Sequence, residues 1–339
     1  MEHGGDRYRN RVKTDFSVNV NPFGIPEGVK EALGRAAARC MEYPDQRSEQ
    51  LTEAVAGMLG INQQYLLFGN GASELFMAVV HALSPKKTVI PVPSFSGYEY
   101  AAALSGEIIF HGLKEENGFA LGKDLFDALD EKADLLFLAN PNNPAGGLVE
   151  QEFLKELLLH CREREIRVVL DECFIEFCEK GYSFLPEVER YDNLILVRAF
   201  TKIFAIPGVR IGYLVSSNEK LTAEIGRQLP EWNISVFAQE AGAACTKERP
   251  YLEKTAEYVK RESRFLEEGL AKAGCRVFPH AADFLMVYTE VPLYDRLLER
   301  GILIRDCSSF RGLAKGYYRI AVKNRAENEM LLKTIGEII

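Results

Sequence analysis

Short, nearly continuous apolar runs recur along this chain. Each is followed by a turn rich in Gly, Pro, Asn or Ser, and then by residues at helical spacing. Runs at 88–93, 107–111, 135–139, 166–170 and 194–197 predict strands buried on both faces. Between them, residues 98–104 and 150–164 repeat apolar positions at helical intervals. This alternation predicts a largely parallel sheet covered by helices, an α/β layout whose ligands gather at the carboxyl ends of the strands. Upstream, 27–40 reads as an amphipathic helix. Tyr43-Pro44-Asp45 interrupts it, and 49–59 resumes with Leu51, Val55 and Leu59 on one face. Residues up to about Phe16 read as an exposed arm, followed by DFSVNVNPFG with a turn at Asn21-Pro22 and Gly24. Helices are expected at 220–227, 236–246 and 251–273. From Arg276 the pattern changes to short strands and two helices (RVFP, FLMVYTE, LYDRLLERG, ILIRD, YYRIAV and 328–338), which predicts a small α+β C-terminal domain.

Composition narrows the class. A chain of 339 residues has room for one large α/β domain and a smaller one, each with a core. Apolar content of 47% and charged content of 27% are those of a soluble globular protein. A net charge of −8 argues against nucleic acid as a partner. No apolar run approaches the ~20 residues of a membrane span, and residues 1–16 carry charge with no apolar stretch after them, so neither a membrane nor a signal peptide is expected. Seven cysteines are scattered, with no CxxC pair and no metal-like spacing against the five histidines. Reduced thiols in a cytoplasm, and no metal, are the expectation.

Candidate chemistry centres on residues 197–214, VRAFTKIFAIPGVRIGYL. Lys202 stands among Phe200, Ile203, Phe204 and Ile206. Partial desolvation disfavours a charged amine and lowers its pKa, as a Schiff-base or general-base lysine requires; a lysine snorkelling at a strand end is the alternative. Residues 66–73 (LLFGNGAS) run from a strand into a glycine-rich turn, with a helix at 74–83. Small residues let the backbone approach a ligand and helix-start amides face outward, so Gly71, Ala72 and Ser73 form a candidate phosphate cradle or a packing turn. No Walker or dinucleotide glycine pattern is present. Asp171 follows the strand at 166–170, where a carboxylate is costly unless paired; a strand-end cap is the other reading. Cys173 beside it reads as a buried structural thiol. Arg305 in ILIRD and Arg319 in YYRIAV lie in or just after apolar strands. Their forks suit capture of carboxylate or phosphate, with a structural ion pair, such as one to Asp306, as the alternative.

The pattern T-K-x-F-x-I-P-G-x-R-x-G-Y at 201–213 resembles the cofactor-lysine segment of fold-type I, class I/II aminotransferases, which use pyridoxal 5'-phosphate. The resemblance covers nearly the whole chain. It implies a large domain with a mostly parallel sheet plus a small α+β C-terminal domain. Residues 1–40 would be the N-terminal arm and part of the small domain, 41–250 the large cofactor-binding domain, and 251–339 an interdomain helix and the small domain. By resemblance Lys202 holds the cofactor as an imine, and Arg210, Thr201 and Gly71-Ala72-Ser73 contact its phosphate. Asp171 pairs with the pyridinium nitrogen, Phe95 of P-S-F stacks on the ring, and Asn143 of NPNNPAGG donates to the phenolic oxygen. The elements DFSxNxNPxG and YPD resemble the arm of histidinol-phosphate aminotransferases and threonine-phosphate decarboxylases. There the tyrosine, here Tyr43, reaches the cofactor phosphate of the neighbouring subunit, which implies a homodimer with shared sites. Asn21, Arg305 and Arg319 are then substrate-binding.

Four positions depart from the common pattern: Phe174 for a tyrosine, Ala199 for a serine, Ala145 in the NPNNP loop for a threonine, and Ser235 in WNIS for an asparagine. The segments HGGD at 3–6, DECFIEF and IRDCSSFRGL, together with Asn19-Val20-Asn21-Pro22 in place of Asn-Glu-Asn-Pro, look more like the decarboxylases. The resemblance therefore implies a small phosphorylated amino acid as substrate. The leading expectation is decarboxylation of L-threonine O-3-phosphate to aminopropanol phosphate in cobalamin synthesis. Aminotransfer on histidinol phosphate or another amino acid is the alternative. A regulatory domain borrowing the fold is a third reading, against which the negative charge and the lack of a helix-turn-helix stretch before Asp15 count.

Overall fold

In the computed structural model, which describes residues 4–130 and 132–339, the apolar runs build three sheets. His3 of the HGGD segment lies outside the described residues. The arm contributes β1 (Thr14–Asp15). The large sheet contains β2 (Leu66–Gly69), β3 (Lys87–Val92), β4 (Glu107–Gly112), β5 (Leu135–Ala139), β6 (Arg167–Asp171), β7 (Leu194–Ala199) and β8 (Gly212–Val215). Their spatial order is β2-β8-β7-β6-β5-β3-β4. Neighbours run parallel except β8, which is antiparallel to both β2 and β7.

The runs are continuously apolar because successive side chains enter cores on opposite faces. Val168 and Leu170 join Leu136 and Leu138 in one cluster, while Val169 joins Leu135 and Phe137 in the other. Each such side chain, fully removed from water, contributes about 1.5–3 kcal/mol. Helices come close to the expected spans: the one predicted at 150–164 occupies Gln151–Glu163, capped by Glu150, whose carboxylate accepts from the amides of Glu152 and Phe153.

The C-terminal part contains β9 (Arg276–Val277), β10 (Phe284–Tyr288), β11 (Ile302–Leu303), β12 (Arg305–Asp306) and β13 (Tyr317–Ala321). A small sheet has the order β12-β13-β10-β9 and is antiparallel throughout. The helix Arg249–Lys272 packs against β9, β10 and the last helix, Arg325–Gly336.

The arm departs from expectation at its end. Tyr8 is exposed, but β1 pairs in parallel with β11, and Phe16 is wholly buried with Leu285, Ile302 and Ile320. The amide of Phe16 donates to the carbonyl of Leu303 (2.7 Å), and its own carbonyl accepts from Ala321 (2.9 Å). A lone aromatic after a polar stretch carries no period, so its burial depended on a strand edge more than 280 residues downstream, an edge that would otherwise present unpaired backbone groups.

Gly212 is the junction that positions the site. It pairs with Gly69 of β2 on one side and with Ala199 of β7 on the other. A Cβ there would meet the amide nitrogen of Ala72 at 2.9 Å and the carbonyl of Arg198 at 3.0 Å. The end of β7, which leads to Lys202, is thereby held close to the start of the helix Ala72–Leu83. Among the described residues no helix is long and apolar enough to cross a membrane.

Candidate active site

A cavity of about 390 Å³ opens where β5, β6 and β7 end and the small sheet closes over them. Ten of the residues singled out in the sequence line it: Ala72, Ser73, Phe95, Asn143, Asp171, Thr201, Lys202, Arg210, Arg305 and Arg319. They come from segments far apart in the chain, so the order seen along the sequence becomes proximity in space.

Lys202 lies in the one-turn helix Phe200–Ile203 that follows β7. Its amine has no hydrogen-bond or ion-pair partner among the described residues. Burial, and then the positive charge of Arg319, hold it below the usual lysine range; Asp283 and Cys173 oppose this. This environment is the one a reactive amine requires.

Asp171 is the last residue of β6 and accepts two hydrogen bonds, one from the phenol of Tyr98 (2.6 Å) and one from the amide of Cys173 (2.9 Å). Burial still pushes its pKa up. Such a carboxyl is poised to ionise once a cationic partner enters. Tyr98 was not legible as a site residue. It sits in the helix Ser96–Ala102, stacked on Phe137 (5.2 Å) and edge-on to Phe95 (5.6 Å), and looks in sequence like any core aromatic. Cys173 has its thiol pushed well up by burial and by Asp171, so it stays protonated and structural.

At the other end of the cavity, Gly71 (φ +82°) caps the helix Ala72–Leu83, and a Cβ on it would collide with the Arg210 guanidinium. Arg210 also has a positive φ (62°) and reaches the carbonyls of Pro207 (3.2 Å) and Asn70 (3.3 Å). Helix-start amides, an exposed Ser73 hydroxyl and this guanidinium thus converge on one spot, an anion site by construction.

The small sheet supplies the remaining wall. Arg305 and Arg319 face each other across β12 and β13, and both are largely buried. Arg319 donates to the side-chain oxygen of Asn143 and to the carbonyl of Ser17 (2.9 Å). It forms no ion pair among the described residues, and its Nε has no hydrogen-bond partner. Burial and the charge of Arg305 bring its pKa down to about 10. Arg305 donates to Ser309 (3.1 Å) and lies over Phe310. Arg311 in the same loop bridges to Glu99 (2.7 Å), tying the loop to the large domain.

Two singled-out residues stand away from the cavity. Asn21 is buried, and its amide donates to the carbonyl of Ile203 and to the hydroxyl of Thr255, both at 2.8 Å, while its oxygen accepts from Phe23. With every polar atom engaged it braces the segment after Lys202 and offers nothing to a substrate in this arrangement. Tyr43 is 81% exposed and packs on Trp232, outside its own chain's cavity. Of the four departures, Phe174 and Ala199 line the cavity, Ala145 joins an apolar cluster with Phe278 and Met286, and Ser235 caps the helix Val236–Cys245.

A family model described as "Aminotransferase class I and II" matches residues 11–335. The chain belongs to this family. It is 34% identical to the threonine-phosphate decarboxylase of Salmonella typhimurium (strain LT2) over 330 residues, 96% of this chain and 91% of that one. The crystal structure of the histidinol-phosphate aminotransferase from Clostridium acetobutylicum superposes with a TM-score of 0.90 at 32% identity, covering 96% of this chain and 98% of that one. That of L-threonine-O-3-phosphate decarboxylase from Porphyromonas gingivalis gives 0.84 at 25%, covering 95% and 98%.

Members of this family are enzymes that use pyridoxal 5'-phosphate, and the residues present fit that group. The cradle beside Gly71 has no room for a side chain but offers amides and a guanidinium for a phosphate. Asp171 is a buried acid in want of a cation, and Lys202 an unpartnered amine of lowered pKa for an aldehyde.

Proposed function

We propose that this protein is a pyridoxal-phosphate-dependent decarboxylase of L-threonine O-3-phosphate, releasing CO₂ and forming aminopropanol phosphate. The observation that carries this is Arg319: a buried guanidinium with no ion pair among the described residues, facing Arg305 across two strands at the wall of the Lys202 cavity. A buried guanidinium whose Nε is unpartnered calls for an anion, and a substrate bearing both phosphate and carboxylate supplies one.

In this reading Gly71, Ala72, Ser73, Thr201 and Arg210 hold the cofactor phosphate, and Phe95 offers its ring to the cofactor's face. Asn143, turned by its bond to Arg319, keeps its amide hydrogens for the phenolic oxygen. Asp171 holds a proton at the ring nitrogen, and Tyr98 orients the carboxylate that does so. Pyridoxal phosphate, when bound, supplies an electron sink for the bond broken at the α-carbon. Lys202 would hold it through its amine and would supply the proton taken up at the α-carbon where CO₂ departs. Arg305 and Arg319 would direct which bond at the α-carbon breaks by where they hold the substrate's two anionic groups.

The test is incubation of the loaded enzyme with L-threonine O-3-phosphate and no oxo acid. Release of CO₂ with aminopropanol phosphate is expected. Transfer of the amino group of histidinol phosphate to 2-oxoglutarate, with no CO₂ from the threonine phosphate, overturns the decarboxylase reading. Aminotransfer is the second reading, favoured by the close superposition on the Clostridium enzyme.

Tyr43 supports a homodimer. In this reading its exposed ring, beside exposed Met41 and half-exposed Trp232, serves the cofactor phosphate of a neighbouring copy. Tyr43→Phe removes one hydroxyl and is expected to weaken cofactor binding by about 1 kcal/mol, close to fivefold, read by fluorescence titration. A fully active monomer in sedimentation would end this proposal. Seven free cysteines, six of them buried, suit the reducing cytoplasm.

A further inference from the structure

Arg305, one of the two guanidiniums on the cavity wall, is held by the loop that follows it. Its Nη2 donates to the Ser309 hydroxyl (3.1 Å), and its guanidinium lies over the Phe310 ring (5.3 Å to the centroid). That loop, residues 307–313 between β12 and β13, has little packing of its own. From Ser308 to Leu313 no residue is buried; Phe310 and Leu313 pack against an apolar cluster and stay partly exposed. Beside it lies a second cavity of about 360 Å³, which shares Phe95, Ser96, Arg305 and Phe310 with the active-site cavity. Ser309 and Phe310 therefore have room to swing away from Arg305 unless something outside the loop holds them.

Arg311 does so. Its Nη2 and Nε fork onto the two carboxylate oxygens of Glu99 (2.7 and 3.3 Å), and its guanidinium lies 3.9 Å above the Phe110 ring. Phe110 belongs to β4, and Glu99 to the helix Ser96–Ala102, which carries Tyr98 and starts from Phe95. One side chain thus fastens the loop to the wall that faces the cofactor ring in the reading above. A lone half-exposed ion pair adds little to global stability. A bidentate fork laid on an aromatic face does something else: it fixes one geometry. We propose that Arg311 is a positioning residue for the substrate, holding Ser309 and Phe310 where they fix the direction of Arg305. The inference rests on Arg305 taking an anionic group of the substrate. The Gly71–Arg210 anion site lies at the other end of the cavity, so the effect falls on substrate and spares the cofactor.

The test is steady-state kinetics of the holoenzyme on L-threonine O-3-phosphate, or on histidinol phosphate with 2-oxoglutarate if aminotransfer is the activity. Arg311→Gln loses fork and stack together and is expected to raise KM about tenfold, with kcat within about twofold of wild type. Melting temperature and cofactor affinity should not move. Glu99→Gln breaks the same pair from the other side and keeps the stack, so KM should rise about fivefold. The double variant should match Arg311→Gln, because two partners in one contact do not add. A wild-type KM in Arg311→Gln, or a double variant near the roughly fiftyfold product of the two singles, would overturn the proposal. Arg305→Lys in the same assay reports the reading beneath it. An unchanged KM there takes Arg305 off the substrate, whereas a raised KM there beside a wild-type KM in Arg311→Gln removes Arg311 alone.

Discussion

Lys202→Ala is expected to lower turnover by about 10⁴-fold or more, the upper range for loss of a positioned acid–base group, while the fold persists. The side chain makes no hydrogen bond or ion pair among the described residues, so its removal leaves no bonded partner stranded. The anion site at Gly71, Ser73 and Arg210 is untouched, so the cofactor should still bind through its phosphate and leave on dialysis more readily than from wild type. Borohydride treatment of wild type should fix the cofactor at Lys202 and at no other lysine. Fixation elsewhere, or a variant that turns over like wild type, would remove Lys202 from the chemistry.

Arg319→Lys preserves charge and is expected to lower kcat/KM by about two orders of magnitude, close to 3 kcal/mol, the loss of one or two charge-assisted hydrogen bonds. The guanidinium reaches Asn143 and the Ser17 carbonyl together and keeps Nε for a third partner. A point-charge ammonium cannot hold the same three directions. Asn143 would lose its orientation as well, so the defect should appear in kcat and KM together. Wild-type kinetics in the lysine variant would mean that the fork is structural.

The large sheet was legible because strands buried on both faces read as unbroken apolar runs, and the 135–139 run falls on β5 to the residue. Other ends moved by one or two positions, with consequence at Asp171: expected just after its strand, it is the last residue of β6, and its carboxylate is largely buried at the cavity wall. The antiparallel β8 was hidden because its four residues continue the lysine segment without a turn signal of their own. Site residues carried by local motifs, such as Lys202 and Asn143, were readable. Tyr98 was not, because it acquires its role only from Asp171, 73 positions away. Asn21 shows the converse: a motif position whose polar atoms the fold itself consumes.

The pairing of Gly212 with two strands at once has a consequence for tolerance to changes in chain length. The segment from Ala199 to Gly212 leaves the sheet and returns to a position directly opposite its own start, so its length is set by a closed loop of backbone bonds. One residue added or removed there would shift β8 by one place against both neighbours and turn its side chains to the wrong face. Related chains of different length should therefore hold constant the distance along the chain from Lys202 to Gly212.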